Sequence, residues 1–368
     1  MKIIYISKSR IPSETANSVH VMKMCQAFAA NGHDVTLLSP YISKKQVLDV
    51  YGFYDVKDNF KITSFFAPEM RGQNIIYSLQ VFLYLLFNRA DVVYGRSLEG
   101  CYIAATLGFK TIFEAHAPMR RKKDTSIFNL LIKRACFDRL VVISESLKNA
   151  FLSNFQIKSG KIQVAHDAAD EVFDLKSQIE LHGKSDLFQV GYVGSMYSGK
   201  GMEIISQLAS KVAKDTNFHI VGGSEKDIKH WKNKISNSNV HFYGFQEQKN
   251  VLLYINSFDA CLLPNLSSVK IKNNSDNEIG EYTSPLKLFQ YMSHKKPILA
   301  SDLPVLREVL NENNSILCST ENIDEWVHSI NKLKMDKQLR HSISNTAYSD
   351  FNKLYTWKIR ACNVIKVF

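Results

Sequence analysis

Apolar positions along the chain come in short runs rich in β-branched and aromatic residues, each closed by a polar turn and followed by a longer helical stretch. Residues 2–7 predict a first strand, 18–31 a helix stopped by Gly32, and 34–38 a second strand. Further β-branched runs lie at 91–94, 111–114 and 140–144. A second series follows at 188–193, 218–221, 240–243, 260–263, 297–300 and 315–318. Strands that alternate with helices predict parallel sheets covered on both faces, hence two doubly wound α/β domains in tandem. Between the two series, 177–187 turns polar, carries Gly183 and Asp186, and reads as the linker. Two such domains are expected to meet with the carboxyl ends of their strands facing a shared cleft, since ligands of these sheets bind at those ends.

A length of 368 residues suits two domains, and 45% hydrophobic with 22% charged residues argues against disorder. The longest apolar stretch, around 79–87, is shorter than the roughly 20 residues a bilayer span needs. Residues 1–6 read as a strand running straight into polar residues, not as a secretory signal, so a cytoplasmic location is expected. The six cysteines form no C-x-x-C pair and read as buried free thiols. A net charge of +11 suits anionic partners: nucleic acid, an anionic membrane or phosphorylated small molecules. No helix-turn-helix, RNP or zinc-finger pattern is present and the basic residues are spread out, which argues against nucleic acid.

The most informative segment is 281–310. Thr283 or Ser284 is expected to cap a helix, with Pro285 in its first turn and an apolar stripe after it. Such a helix start directs free backbone N–H groups outward and binds phosphate. Lys287, Gln290 and His294 share one face at spacings of three and four. Upstream, Gly191-Tyr192-Val193-Gly194-Ser195 ends a strand and Ser198-Gly199-Lys200-Gly201 opens a helix, a place for a diphosphate. Gly222-Gly223 and Gly244-Phe245 are tight strand-to-loop turns where backbone can approach a ligand. The polar stretch 270–280 reads as a loop, either a lid or plain surface. Each of these taken alone also fits ordinary capping and turn chemistry.

In the first half, Glu114-Ala115-His116-Ala117-Pro118 follows a strand and sits at the carboxyl edge of the sheet. Residues 12–18 form the loop after the first strand, and Tyr94-Gly95-Arg96-Ser97 and Ser144-Glu145-Ser146 are strand-end turns. Arg96 suits either an acceptor phosphate or a surface salt bridge. Arg120-Arg121-Lys122-Lys123 precedes the amphipathic stretch 127–132 and then Lys133-Arg134, which suits an anionic membrane surface or a solvated helix end.

The segment 281–310 resembles the donor-binding region of retaining glycosyltransferases of family 4, which have the GT-B fold. The likeness runs from Lys2-Ile3-Ile4 to Tyr355-Thr356-Trp357. It implies an N-terminal acceptor-binding Rossmann-like domain over 1–176 and a C-terminal nucleotide-sugar-binding one over 187–352, with a last helix, about 353–368, crossing back onto the first. It implies that the turn Thr283-Ser284-Pro285-Leu286 holds the distal phosphate of a nucleotide sugar. Gly194 and Gly222 would line the same site, and Gly244-Phe245 the base pocket. Lys200 matches the lysine of an arginine–lysine pair, while Ser195 stands where the arginine usually is. The two glutamates of the family pattern E-x7-E fall at Tyr282 and Gln290. Glu281 lies one residue earlier, and Gln290 offers the ribose a neutral hydrogen bond in place of a charged one. His116 would face the transferred sugar, with Ala16, Asn17, Ser18 and Arg96 on the acceptor side. Ala165-His166-Asp167-Ala168 receives no role.

The resemblance thus implies transfer of a sugar from a UDP- or GDP-linked donor, with retention, to a glycan or lipid-linked acceptor. A bacterial surface-polysaccharide pathway and contact with the inner face of the cell membrane are expected. His116, Lys200 and Glu281 are the expected catalytic groups, with no metal and no cofactor beyond the donor. Two other readings stay open: a nucleotide-sugar epimerase of the same fold, and a weakened subunit that binds donor without transfer.

Overall fold

The computed structural model describes residues 1–41, 49–68, 70–212, 215–267 and 280–366. The chain divides into two compact units, Met1–His166 with Trp357–Phe368, and Asp167–Thr356.

Unit 1 is built on a parallel sheet of strands β1 (Lys2–Ile6), β2 (Asp34–Tyr41), β3 (Lys61–Phe66), β4 (Val92–Gly95), β5 (Thr111–Ala115), β6 (Phe137–Val142) and β7 (Ile162–Val164). Their order is β3-β2-β1-β4-β5-β6-β7, so the winding reverses between β1 and β4. The connecting helices are α1 (Ala16–Ala30), α2 (Val50–Phe53), α3 (Gln73–Phe87), α4 (Leu98–Thr106), α5 (Lys122–Leu131) and α6 (Glu145–Asn154). Unit 2 carries β8 (Phe188–Val193), β9 (Thr216–Val221), β10 (Val240–Gly244), β11 (Ala260–Leu263), β12 (Ile298–Ser301) and β13 (Ile316–Cys318). Their order is β10-β9-β8-β11-β12-β13, with the reversal between β8 and β11. Its helices are α7 (Met202–Lys211), α8 (Glu225–Lys234), α9 (Gln248–Ser257), α10 (Leu286–Ser293), α11 (Pro304–Arg307), α12 (Ile323–Met335) and α13 (Lys337–Leu354). The closing helix α14 (Trp357–Ile365) belongs to unit 1.

Strands covered on both faces lose the alternation of half-buried ones. Ile3 to Ile6 in β1 and Ala260 to Leu263 in β11 are all fully buried, which is why they read as unbroken apolar runs. Two elements escaped the pattern. β3 sits at the edge of its sheet with partly exposed residues throughout, and β7 is only three residues long. The apolar stretch around 79–87 is the body of α3.

Three expectations are corrected. α1 begins at Ala16, so residues 16–18 are its first turn and not loop; Thr15 caps it, its hydroxyl accepting from Ser18 N at 3.3 Å. The stretch 177–187 is not a free linker. Gln178 Nε2 donates to Asn256 O at 3.1 Å, Ile179 N to Ser257 Oγ at 2.9 Å, and His182 N to Tyr243 hydroxyl at 2.9 Å, all inside unit 2. Its polar residues meet the partners that the end of α9 and β10 present. The chain passes between units at His166/Asp167 and again at Thr356/Trp357, and Ala169 pairs with Thr356 in a parallel bridge. The third correction concerns the start of α10 and is taken up with the site. Residues 270–279 of the expected loop lie outside the described residues; Gly280 opens the 3₁₀ turn Gly280–Tyr282.

Candidate functional site

Three strands of unit 2 end on glycine at the carboxyl edge. Gly194 after β8, Gly222 after β9 and Gly244 ending β10 have φ of 134°, 114° and 71°, values that favour glycine. Gly194 N donates to Val221 O at 2.8 Å and Gly222 N to Gly244 O at 2.7 Å, so the turns are stitched together. A Cβ on Gly222 would stand 2.5 Å from the Gly194 carbonyl oxygen. The three turns make a floor of bare backbone beside the β8/β11 reversal, where a ligand can approach closely. Lys200, just before α7, is half-buried, and burial pulls its amine down to about 8. Ser195 is half-buried, and its carbonyl accepts from the Tyr192 hydroxyl at 2.7 Å.

The start of α10 differs from expectation. Pro285 occupies the cap position and no side chain caps the helix. Ser284 is buried, and its hydroxyl oxygen is taken by the Asp167 N–H at 2.9 Å, which ties the turn to the first residue of unit 2. Thr283 is buried too. Leu288 N closes back on Pro285 O at 2.9 Å, while the N–H groups at the very start of α10 gain no capping side chain among the described residues. An uncapped helix start keeps its N–H groups and the dipole for an anion.

The three residues on one face of α10 divide their tasks. Lys287 is buried, its Nζ 3.7 Å from the centre of the Tyr192 ring. The same Nζ lies 3.5 Å from the point a Cβ on Gly194 would occupy. Among the described residues it has no hydrogen-bond partner. Burial pushes its amine well below the ordinary lysine value, and the neighbouring charge of Lys200 adds to this. Gln290 donates from Nε2 to Gln248 Oε1 of α9 at 3.3 Å. His294 donates from Nδ1 to the Gln290 carbonyl at 2.7 Å and closes the helix; burial pulls it down to about 4. Tyr282 and Leu286 are half-buried, Glu281 is exposed on the 3₁₀ turn, and Phe245 is exposed beside Gly244.

In unit 1 a buried carboxylate organises the candidate histidine. Glu114 on β5 is 1% exposed. Its Oε1 accepts from Arg360 Nη2 at 2.9 Å and meets His116 Nε2 at 2.5 Å and His20 Nε2 at 2.9 Å. Its Oε2 takes the Tyr94 hydroxyl. Burial alone would raise the Glu114 carboxyl, but Arg360, then His20 and the hydrogen bonds from the two histidines, hold it well below the usual range. An ionised carboxylate accepts, so His116 Nε2 is the donor in this pair. The His116 and His20 rings meet edge-on at 4.7 Å, and His20 in turn rests on Trp357 at 5.1 Å. Arg360 comes from α14 and also donates to His166 O at 2.8 Å and Ala165 O at 3.2 Å. Helix α14 thus supplies the counter-charge that aims His116.

On the expected acceptor side, Ala16 and Asn17 are exposed in the first turn of α1. Ser18 is buried and its hydroxyl donates inward to Ser13 O and Thr15 O at 2.7 and 2.8 Å. Arg96 follows β4, and its Nη1 is buried without a hydrogen-bond partner among the described residues. The sequence reading singled out His116, Lys200 and the glycine turns. It quoted Glu114 and Tyr94 within strand-end motifs without a role, and passed over His20, Arg360 and the burial of Lys287. A glutamate inside an otherwise apolar strand was the available signal for Glu114; nothing in the sequence links it to Arg360, 246 positions away.

Residues 18–171 match the family described as Glycosyltransferase Family 4, and residues 188–336 that described as Glycosyl transferases group 1. No curated protein sequence matches the chain. Among solved structures, sucrose-phosphate synthase from Thermosynechococcus elongatus aligns with TM-score 0.75 at 15% identity, over 98% of this chain and 96% of that one. Anabaena HepE in complex with UDP and glucose aligns with TM-score 0.74 at 13% identity, over 99% and 98% of the two chains. A glycosyltransferase from Rickettsia africae aligns with TM-score 0.74 at 13% identity, over 98% and 96%. Identities this low carry the fold alone, which is GT-B with two Rossmann-like parallel-sheet domains. With both family matches spanning most of its length, the chain belongs to the group 1, family 4 glycosyltransferases and is an enzyme of that transferase class.

Proposed function

We propose that this glycosyltransferase moves a sugar from a nucleoside-diphosphate sugar to a glycan or lipid-linked acceptor with retention of configuration. The observation that carries the reading is the bare glycine floor of β8, β9 and β10 flanked by Lys200 and the uncapped start of α10. These are features a diphosphate needs: close backbone approach, N–H donors and positive charge. HepE in complex with UDP-glucose has the same fold, which favours a nucleotide-sugar donor here.

In this reading Lys200 and the α10 N–H groups take up charge as it develops on the leaving diphosphate. Ser284 has its oxygen engaged by Asp167 N, and its own hydrogen remains to donate to a phosphate oxygen. Gln290 and Glu281 would hold the ribose, and Phe245 would stack on the base. His116 faces and orients the transferred sugar, and Arg96 meets an acceptor phosphate. The acceptor hydroxyl attacks the anomeric carbon on the face the diphosphate leaves. The carbon–oxygen bond to the diphosphate breaks with its electron pair, and the acceptor proton passes to the departing phosphate oxygen.

A cytoplasmic enzyme at the inner membrane face, serving surface-polysaccharide assembly, fits two further observations. WaaB, a lipopolysaccharide outer core galactosyltransferase, shares the fold. Helix α3 leaves Leu79 (57%), Leu83, Leu86 and Phe87 (84%) exposed, and α3, α4 and α5 line one groove that includes Lys123 of the basic run. An apolar ridge beside basic charge suits an anionic bilayer. No helix among the described residues is long and apolar enough to cross a membrane.

The test is thermal stabilisation of the protein by UDP, GDP, ADP and dTDP sugars. A ligand at a hundredfold its Kd adds about 2.7 kcal/mol, which a melting curve resolves. A shift with one nucleotide that is lost in Lys200→Ala supports the reading; unchanged turnover in Lys200→Ala overturns the diphosphate role. Gln290 is already engaged by Gln248, which favours a donor-binding subunit as the second reading. That reading predicts the same shift with no sugar transferred to any acceptor.

A further inference from the structure

We infer that Lys287 is the second cation of the diphosphate site, taking the place of the arginine that Ser195 replaces. The inference rests on the donor reading above and deepens it. A lysine with an apolar neighbour on either side, Leu286 and Leu288, is a poor choice for a buried helix position unless its charge has a use. Its stem fills the space beside Tyr192 and its amine ends over that ring at the carboxyl end of β8. The ring offers only partial compensation for a buried cation.

The surroundings point the same way. The charged neighbour that acts on the Lys287 amine is Lys200, whose effect is repulsive. Glu203, in the first turn of α7, acts on the Tyr192 hydroxyl, which itself donates to the Ser195 carbonyl. The Lys287 amine thus reaches the Gly194 turn from the first turn of α10, and Lys200, in the loop before α7, lies close enough to act on it. The two amines oppose each other, and the Lys287 amine has no hydrogen-bond partner among the described residues. A group carrying two or more negative charges resolves that conflict, and each amine then strengthens the other's grip. A nucleoside diphosphate carries more negative charge than its monophosphate and gains more from a second amine.

Isothermal titration of the full chain tests this, with UDP, GDP, ADP, dTDP and the matching monophosphates as probes. Lys287→Met and Lys287→Arg are compared with the unsubstituted protein. Lys287→Met is expected to weaken the best diphosphate by about tenfold or more and its monophosphate by less than about threefold, with Lys287→Arg keeping most of the diphosphate affinity. Melting without ligand is the control for folding. Lys287→Met is expected to melt no lower than the unsubstituted protein, because it removes a buried amine without a hydrogen-bond partner. A Lys287→Met protein that keeps the full preference for diphosphate overturns the inference and leaves the donor reading standing. Equal loss of both nucleotides with a lowered melting temperature makes Lys287 a structural prop and also overturns it. An unsubstituted protein that binds no nucleoside diphosphate, or shows no preference over the monophosphate, removes the donor reading and the inference together.

Discussion

Removing the Arg360 guanidinium strands a buried carboxylate, and the cost follows from the geometry. The Arg360 and Glu114 side chains are 2% and 0% exposed, with Nη2 and Oε1 2.9 Å apart. Breaking such a pair from one side leaves an uncompensated buried charge, so Arg360→Met should destabilise unit 1 by about 3–5 kcal/mol. Glu114→Gln should cost less, about 1–3 kcal/mol, because Arg360 keeps the carbonyls of His166 and Ala165 and the amide oxygen still accepts. The double variant should fall short of the sum by about 2 kcal/mol. Urea unfolding followed by Trp357 fluorescence measures this. Replacing Trp231 and Trp326 by Phe leaves Trp357, which packs on His20, as the reporter of unit 1. Strictly additive losses would refute the coupling. The pH dependence gives an independent check. Glu114 has its carboxyl held below the ordinary range, so its stabilisation is complete above that range and lost as pH falls through the lower folded value. Without Arg360, burial dominates and the carboxyl holds its proton at higher pH. Arg360→Met should therefore lose less stability than the unsubstituted protein between about pH 5 and pH 3.

Three further outcomes are expected. Gly222→Ala puts a methyl against the Gly194 carbonyl at a φ of 114°, and should cost about 2 kcal/mol or more in unit 2 and abolish nucleotide-induced stabilisation; an unchanged melting shift would show that the glycine floor is not the ligand's seat. A Lys200 that holds a diphosphate must be protonated, and burial pulls its amine down to about 8, so affinity should hold below that pH and weaken as pH rises through it, by up to about tenfold per unit; a flat titration profile to pH 9.5 would separate Lys200 from the ligand. Leu79→Asp with Leu83→Asp on α3 should release the protein from vesicles containing anionic lipid while leaving nucleotide binding intact, read by co-sedimentation.

What the sequence revealed tracks how much each feature depends on neighbours in the chain. The double alternation of strand and helix was legible because fully buried parallel strands are continuous apolar runs, as β1 and β11 are. β3 was not, since an edge strand with partly exposed residues lacks that signature. The glycine turns were legible as turns, but their convergence was not. Gly194, Gly222 and Gly244 close on one another only through the register of β8, β9 and β10. The cap of α10 was misread because the rule for caps counts side-chain oxygens near a helix start and not their other suitors. The Asp167 N–H claims Ser284, and Asp167 lies 117 positions away.

Lys287 shows why the remainder of the site stayed hidden, and what the hiding means. Spacing placed Lys287, Gln290 and His294 on one face; α10 carries the first two and ends at Ser293, so His294 is its C-cap. Spacing has no access to what the face meets. Toward its start the face meets the Tyr192 ring and the bare turn at Gly194; in its middle, Gln248 of α9; at its end, the helix's own carbonyl. The same local pattern therefore yields a buried amine over the Tyr192 ring beside the bare Gly194 turn, a polar tie and a C-terminal closure. A fold alone would favour a leucine at 287, as at 286 and 288, because burying an amine opposes stability. Where a chain keeps a locally unfavourable residue at the carboxyl edge of a parallel sheet, ligand binding is the physical account that repays it.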